Sequence, residues 1–310
     1  MKKILNYLLL FSIVSMLVFT SCKEDEPDPP DPKSAYETLS DYLTANSLEI
    51  TDILNNWIIT ASDIDGNEAD YYIMDIRGAT DYGTCHITGA HNVAYGDVVT
   101  EAANAAGKPI VVACYTGQGA AHAVVALRLS GFPNAKTLKW GMSAWNVKND
   151  KWTTAKSDTA TGHAGWTTDA TTAVAEFSAP DLTATATDGE GILEERVGVL
   201  LDGGFKGIPA IDVLTNYGDY FINNYWAQAD VDLYGHIKGA YRINPINFVN
   251  LDPSKTIVTY CWTGQTSSII TAYLTVLGYD AKSLKFGANG MIYSALQSHQ
   301  WIASGSYTCE

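Results

Sequence analysis

Residues 110–132, IVVACYTGQGAAHAVVALRLSGF, and residues 257–279, IVTYCWTGQTSSIITAYLTVLGY, align without a gap. The alignment places Cys114 over Cys261. Both segments begin with a short apolar run, which is typical of a buried strand, and continue with apolar residues at helical spacing. Because self-similarity of this kind marks a repeated structural unit, the sequence predicts two copies of one domain.

The similarity extends outward from this segment in both directions. Upstream, CHITGAH around His86 matches GHIKGAY around His236, and downstream LKWG is repeated as LKFG. Further upstream, YIMDIR with Asp75 is aligned with PAIDVL with Asp212, although the second copy then has extra residues before its histidine. Four similar segments in one order support a true repeat rather than chance similarity.

Each copy alternates segments that resemble strands with segments that resemble helices. The predicted strands of the first copy lie at 71–76 and 110–113, and those of the second at 209–213 and 256–260. A helical period follows the second strand in each copy. Strands that alternate with helices favour the α/β class, in which a central parallel sheet is flanked by helices.

Composition limits the classes of protein to consider. A length of 310 residues predicts two domains, and 46% hydrophobic with 17% charged residues excludes wholesale disorder. The net charge of −15 gives an acidic surface that repels phosphate backbones, so we expect no nucleic-acid partner. Five cysteines are too few for a disulfide-stapled scaffold, and the odd number leaves at least one thiol free, lipidated or reactive.

The N-terminus carries a predicted export signal. Two lysines precede an apolar run at 4–20, which is short for a membrane span of about 20 residues and indicates a signal peptide. The run ends in Phe19-Thr-Ser-Cys22, which resembles a bacterial lipobox. This resemblance implies a lipoprotein signal peptide at 1–22, lipidation of Cys22, and an acidic, proline-rich tether at 23–33.

The acidic start of that tether resembles the export tags of some lipoproteins of Gram-negative bacteria. We therefore expect a protein anchored by lipid to a membrane of the cell envelope, on the periplasmic face or on the cell surface. The sequence leaves the choice between those two locations open, as it does the oligomeric state.

Cys114 and Cys261 each lie between a predicted strand and a predicted helix, where ligands bind in open α/β sheets. Gly117 and Gly264 permit the backbone angles that a cradle of N–H groups around each sulfur requires. Inward-pointing amides and the positive end of the following helix lower the pKa of a cysteine. The sequence therefore predicts two thiolates at neutral pH.

The GHIxGA loop, the Cys-x-x-Gly loop and the LKxG ending together resemble the rhodanese family of sulfurtransferases. The resemblance covers both copies and implies rhodanese-like domains at 34–150 and 190–310, joined by a Thr/Ala-rich linker at 151–189. It implies an enzyme that moves a sulfane sulfur from thiosulfate or a persulfide, through a cysteine persulfide, to a thiol or cyanide acceptor. It implies no cofactor, and the histidines lack ligand spacing, so we expect no metal site.

The resemblance also assigns site residues. Cys261 is the first candidate for the nucleophile, because its loop offers hydroxyls beside the sulfur, and Cys114 is the second. The substrate-binding residues are predicted to be Tyr115, Thr116, Gly117, Gln118 and Gly119 in the first copy and Trp262, Thr263, Gly264, Gln265, Thr266 and Ser267 in the second. Structural support is predicted from Asp75, His86, Asp212 and His236.

Several alternatives stay open. A non-catalytic rhodanese-like binding or sulfur-carrier module at the cell envelope is the main one, because folds outlast their activities. For Cys85 and Cys309 a spectator role is the default expectation, and the alternatives are a disulfide or the resolution of a persulfide on Cys114. The sequence does not identify the physiological donor or acceptor, or whether both copies are active. A phosphatase is excluded, because phosphoryl transfer requires an arginine that neither cysteine loop contains.

Overall fold

The computed structural model describes residues 33–310. The predicted signal peptide, the predicted lipidation site Cys22 and most of the predicted tether lie outside the described residues. Within the described part of the chain, no helix is both long enough and apolar enough to cross a bilayer.

Two five-stranded sheets form the centre of the molecule, one in the first half (residues 34–150) and one in the second half (residues 190–310). The first sheet contains β1 (Ile58–Ile59), β2 (Tyr72–Asp75), β3 (His91–Asn92), β4 (Ile110–Ala113) and β5 (Lys136–Leu138). The second contains β7 (Gly207–Ile208), β8 (Phe221–Asn224), β10 (Tyr241–Arg242), β11 (Ile257–Tyr260) and β12 (Ala281–Leu284). A separate antiparallel pair joins β6 (Trp166–Thr167) to β9 (His236–Ile237).

The two sheets have the same strand order. The first runs β1-β5-β4-β2-β3, and the second, from its corresponding edge, runs β7-β12-β11-β8-β10. All neighbouring strands within each five-stranded sheet are parallel. The strands β4 and β11, which precede the two cysteines, are the central strands. The predicted α/β class, with a parallel sheet flanked by helices in each half, is therefore confirmed.

Helices cover both sheets. Those of the first half are α1 (Ala35–Ala45), α2 (Ile50–Ile53), α3 (Ala61–Ile64), α4 (Ala79–Thr84), α5 (Val98–Ala102), α6 (Gln118–Leu129) and α7 (Met142–Trp145). Those that follow are α8 (Gly189–Gly203), α9 (Ala210–Thr215), α10 (Gln228–Tyr234) and α11 (Gln265–Val276). The helices α6 and α11 begin just after the cysteine loops and pack against each other. Both helices are buried on nearly all sides, and polar residues such as His122 and Ser267 are buried in them together with the apolar ones.

The two halves share a hydrophobic core. Leu39 and Leu43 of α1 lie in one buried cluster with side chains of α6, α8 and α11. Because α6 and α11 pack in the same cluster, the two cysteine loops that directly precede these helices are positioned relative to each other.

The prediction that Asp212 ends a strand is wrong. Asp212 is exposed in the first turn of α9. The apolar run around it has helical spacing, since Ala210, Val213 and Leu214 are its buried residues and lie three and four positions apart. The strand that corresponds to β2 is β8, which lies farther along the chain.

The true counterpart of Asp75 is Asn224, the last residue of β8. Asp75 pairs in register with the residue before Cys114, and Asn224 pairs in the same way with the residue before Cys261. Trp226 therefore takes the place of Arg77, because the N–H of each donates to the carboxylate or amide oxygen two positions before it, at 3.0 Å.

The C-terminal residues return to the first half of the molecule. Cys309 forms a disulfide with Cys85, with the two Cα atoms 4.9 Å apart. The backbone N–H groups of His86 and Glu310 each donate to the other residue's carbonyl oxygen at 3.0 Å. Cys85 is thus not available to resolve a persulfide on Cys114 while this bond is intact. The disulfide alternative, which the sequence left open, is the one that the structure contains.

Candidate functional site

The two cysteines occupy equivalent places at the carboxyl ends of the central strands. Cys114 directly follows β4 and Cys261 directly follows β11, and a helix begins four residues after each. Gly117 and Gly264, the last loop residues, have φ angles of 81° and 76°. This left-handed conformation suits glycine, and it turns the loop so that backbone N–H groups face the sulfur.

The sulfur of Cys114 lies in a nearly dry cradle of amides. The N–H groups of Gly117 and Ala120 donate to it at 3.2 and 3.3 Å, and the residue is 7% exposed. Burial raises the pKa of the Cys114 thiol, while the surrounding amides, Ala120 first, act in the opposite direction. The direction of this pKa shift runs against the predicted thiolate at Cys114, because burial outweighs the neutral amide dipoles around the sulfur.

The sulfur of Cys261 has hydroxyl neighbours as well as amides. The Ser267 N–H donates to it at 3.4 Å, and the thiol itself donates to the Ser267 Oγ at 3.6 Å. The Ser267 Oγ lies 2.7 Å from the Oγ of Ser283, a residue of β12. Cys261 is 3% exposed. Ser283 was not among the predicted site residues, and no sequence signal beyond its position before LKFG indicates it.

Aromatic residues follow each cysteine. Tyr115 donates its hydroxyl proton to Asp81 at 2.6 Å. Trp262 is stacked between Trp226 and His299, with ring centroids 4.5 and 5.0 Å apart. The residue after Cys114 is therefore in a polar pair with Asp81, whereas the residue after Cys261 is in a stack of three aromatic rings.

The glutamines predicted to bind substrate form hydrogen bonds between the two halves of the molecule. The Gln265 amide donates to the carbonyl oxygen of Thr116 at 3.0 Å, and the Gln118 amide oxygen accepts from the Phe286 N–H at 2.8 Å. The indole of Trp152, from the linker, donates to the same Thr116 carbonyl at 3.2 Å. These reciprocal bonds place the two loops against each other. The sequence showed two equivalent glutamines but could not show that each reaches across to the other half.

The other predicted binding residues lie in the loops as expected for their positions. The Thr116 hydroxyl accepts from the Gln118 side chain at 3.0 Å, and the Thr263 hydroxyl accepts from the Gln265 N–H at 3.2 Å. An added Cβ on Gly119 would lie 3.8 Å from the Cys114 sulfur, so this glycine borders the sulfur directly.

The glycines of the LKxG endings press on the cysteine loops. A Cβ on Gly141 would lie 2.4 Å from the carbonyl oxygen of Cys114, and a Cβ on Gly287 would lie 2.2 Å from that of Cys261. The aromatic residues before them, Trp140 and Phe286, both have a φ of 65°, which is rare for such side chains. The repeated LKWG and LKFG motifs are thus explained by close backbone contact with the site.

Replacing Gly287 by alanine is expected to destabilise the protein by about 2 kcal/mol or more, because the new methyl group would overlap backbone that has no room to move. Urea denaturation measures this loss. The control is Gly198→Ala in the interior of α8, where no atom lies within 4 Å of the added Cβ. That variant is expected to gain about 0.5–1 kcal/mol. Equal effects of the two substitutions would contradict the packing argument.

Three of the predicted supporting residues, Asp75, His86 and His236, take part in a buried ion pair or in contacts with backbone carbonyl groups. Asp75 and Arg77 are both buried, and the guanidinium donates to the carboxylate at 2.6 and 2.9 Å. The His86 Nδ1 lies 2.9 Å from a backbone carbonyl oxygen, and the two ring nitrogens of His236 lie 2.8 and 2.7 Å from two more. These contacts are structural ones.

The sequence of the first half matches one family of known proteins. Residues 60–148 match the family model of the rhodanese-like domain. A search of curated proteins gives no significant match.

The chain is also similar to solved structures. One is a rhodanese-related protein from Thermoplasma volcanium, at 23% identity over 29% of this chain and 89% of that one, with a TM-score of 0.27. A thiosulfate sulfurtransferase from Pseudomonas aeruginosa is 14% identical over 89% of this chain and 49% of that one, with a TM-score of 0.31. A 3-mercaptopyruvate sulfurtransferase from Leishmania major is 14% identical over 78% and 75%, with a TM-score of 0.29.

Proposed function

We propose that the protein is a rhodanese-type sulfurtransferase with two rhodanese-like domains, at 34–150 and 190–310. The observation that carries this proposal is the placement of Cys261, whose sulfur lies at the end of a central strand, accepts the Ser267 N–H and donates its own proton to the Ser267 hydroxyl. The family match over residues 60–148 supports the first domain. The identical strand order of the second sheet supports the second domain.

The reaction proceeds in two displacements. The cysteine thiolate attacks the outer sulfur of the donor, an S–S bond forms to the enzyme, and the rest of the donor leaves with the electron pair. A thiolate or cyanide acceptor then attacks the outer sulfur, and the cysteine leaves as a thiolate. No net oxidation of the enzyme occurs, so no cofactor is required.

Cys261 is the proposed nucleophile. Its thiol contacts the Ser267 hydroxyl, which can donate to the sulfur once the thiol has lost its proton, and hydrogen bonds to a charged acceptor are stronger than those between neutral groups. Cys114 has alanines at the positions that correspond to Ser267 and Ser268. Its sulfur therefore depends on neutral amides alone, against a burial that raises the pKa of its thiol.

The charge distribution favours an organic persulfide over thiosulfate as the donor. Neither cysteine loop contains an arginine or lysine, and the chain has a net charge of −15. The thiosulfate dianion is repelled by the net negative charge at long range. At short range it is attracted only by the dipoles of the backbone N–H groups. Comparing thiosulfate with a low-molecular-weight persulfide as donor tests this preference; faster turnover with thiosulfate would contradict it.

A second candidate is a non-catalytic binding or sulfur-carrier module. The observation in its favour is the burial of both sulfurs, since Cys114 and Cys261 are only 7% and 3% exposed. The two functions are separated by mass spectrometry of the intact protein after incubation with each donor. A gain of one sulfur atom that is lost on addition of cyanide supports the enzyme. No gain with any donor supports the binding module.

We further propose that the protein is anchored by lipid at Cys22 in the cell envelope. The support is the sequence of residues 1–33, together with the disulfide between Cys85 and Cys309, because disulfides persist mainly in oxidising compartments. Metabolic labelling with a radioactive fatty acid tests the anchor, which must disappear in Cys22→Ala. Protease treatment of whole cells separates the periplasmic location from the surface.

A further inference from the structure

The Cys261 thiol is the first member of a buried chain of hydroxyl groups. Its sulfur contacts the Ser267 Oγ, which lies 2.7 Å from the Ser283 Oγ, and the Ser283 hydroxyl donates to the Gly264 carbonyl oxygen at 3.2 Å. The Ser268 hydroxyl donates to the same carbonyl at 2.6 Å. All three serines are fully buried. The chain therefore begins at the sulfur and ends on the backbone of the cysteine loop.

The first half has no equivalent chain. Ala120 and Ala121 stand where the second half has Ser267 and Ser268. Thr137 corresponds to Ser283, because each pairs with the second residue before its cysteine. In the described part of the chain, the Thr137 hydroxyl has no hydrogen-bond partner.

The difference in polarity extends into the sheet below. Asn223 and Thr259, which are neighbours in register, replace Met74 and Val112 of the first half. Side chains two positions apart on a strand share a face, so Thr259 lies on the same face of the sheet as Cys261. The polar surroundings are thus specific to the second half and lie beneath its cysteine.

The hydroxyl chain fits both protonation states of the sulfur. A hydroxyl has one donor and two acceptor sites, and its proton rotates without movement of the oxygen. With a neutral thiol, the donors run from Cys261 to Ser267, to Ser283 and to the Gly264 carbonyl. With a thiolate, Ser283 donates to Ser267 and Ser267 donates to the sulfur, while Ser268 still satisfies the carbonyl.

We propose that Ser283 is a positioning residue for the Cys261 thiolate, acting through Ser267. It keeps the Ser267 proton directed at the sulfur whenever the thiol has lost its own proton to solvent. The inference rests on the proposed function only for the use that the protein makes of the thiolate. The effect of Ser283 on the ionisation of Cys261 can be measured without any sulfur donor.

The test is the rate of alkylation of Cys261 by iodoacetamide as a function of pH, followed by peptide mass spectrometry on the full-length protein. In Ser283→Ala the midpoint of the profile is expected to rise by about one pH unit, which lowers the rate about ten-fold at any pH well below both midpoints. Thr137→Ala, the matched control in the first half, is expected to leave the Cys261 profile unchanged.

The variants Ser283→Thr and Ser283→Val control for a loss of folding, because threonine and valine have the same shape and differ only in the hydroxyl group. The threonine keeps the hydroxyl and is expected to retain the original midpoint, while the valine is expected to behave as the alanine does. Coincident profiles for the wild type, Ser283→Ala and Ser283→Val would overturn the proposal. A shifted midpoint in a protein that transfers no sulfur would leave the role of Ser283 intact and refute the proposed function alone.

Discussion

Sulfur transfer is expected to fall by a factor of about a thousand or more when Cys261 is replaced by serine. A serine hydroxyl is a far weaker nucleophile, and it cannot form the persulfide on which both displacements depend. The assay follows transfer from an organic persulfide to cyanide.

Cys114→Ser is the matched control, because it makes the same change in the equivalent loop of the first half. It is expected to retain most of the activity, since burial raises the pKa of Cys114 and no hydroxyl contacts its sulfur. Equal losses in the two variants, or a larger loss in Cys114→Ser, would refute the assignment of the nucleophile.

Replacing Arg77 by methionine is expected to cost about 3–5 kcal/mol of folding free energy. The Arg77 guanidinium is buried against Asp75, with further bonds to the Asn149 side chain at 2.8 Å and the Cys85 carbonyl at 2.7 Å. Without it, the Asp75 carboxylate is left buried and unpaired, and the neighbouring carbonyl loses its donor. Urea denaturation at neutral pH measures the loss.

The control for this prediction is the double variant Asp75→Asn with Arg77→Met. Asn224 and Trp226 show that the same fold accepts a neutral pair at these positions in the second half. The double variant is therefore expected to be more stable than Arg77→Met alone. If the second substitution instead adds to the damage, the unpaired charge is not the cause of the instability.

The sequence was sufficient to predict the class of fold. It gave the wrong counterpart for Asp75, because the alignment relied on residue identity at one position. The repeat around Cys114 and Cys261 indicated two α/β units, and both sheets are present. Asp212 was matched to Asp75 because both are aspartates that follow apolar residues. The structural equivalent is Asn224, and the apolar run beside Asp212 forms a helix instead. A short apolar run does not distinguish the two kinds of structure.

The local parts of the candidate site were predictable, and the contacts between distant segments were not. The two cysteine loops could be located because their residues are consecutive. Ser283 lies on another strand, and the Gln118 and Gln265 contacts cross between the halves. The disulfide joins residues 224 positions apart, so its pairing depends on the path of the whole chain.

The most direct test of the central claim is to locate the sulfur after one half of the reaction. Full-length protein is incubated with an organic persulfide, freed of donor and digested for peptide mass spectrometry. We expect the mass of one additional sulfur atom on the peptide that contains Cys261, and its loss when cyanide is added. A sulfur atom found on Cys114 alone, or on neither cysteine, would contradict the account.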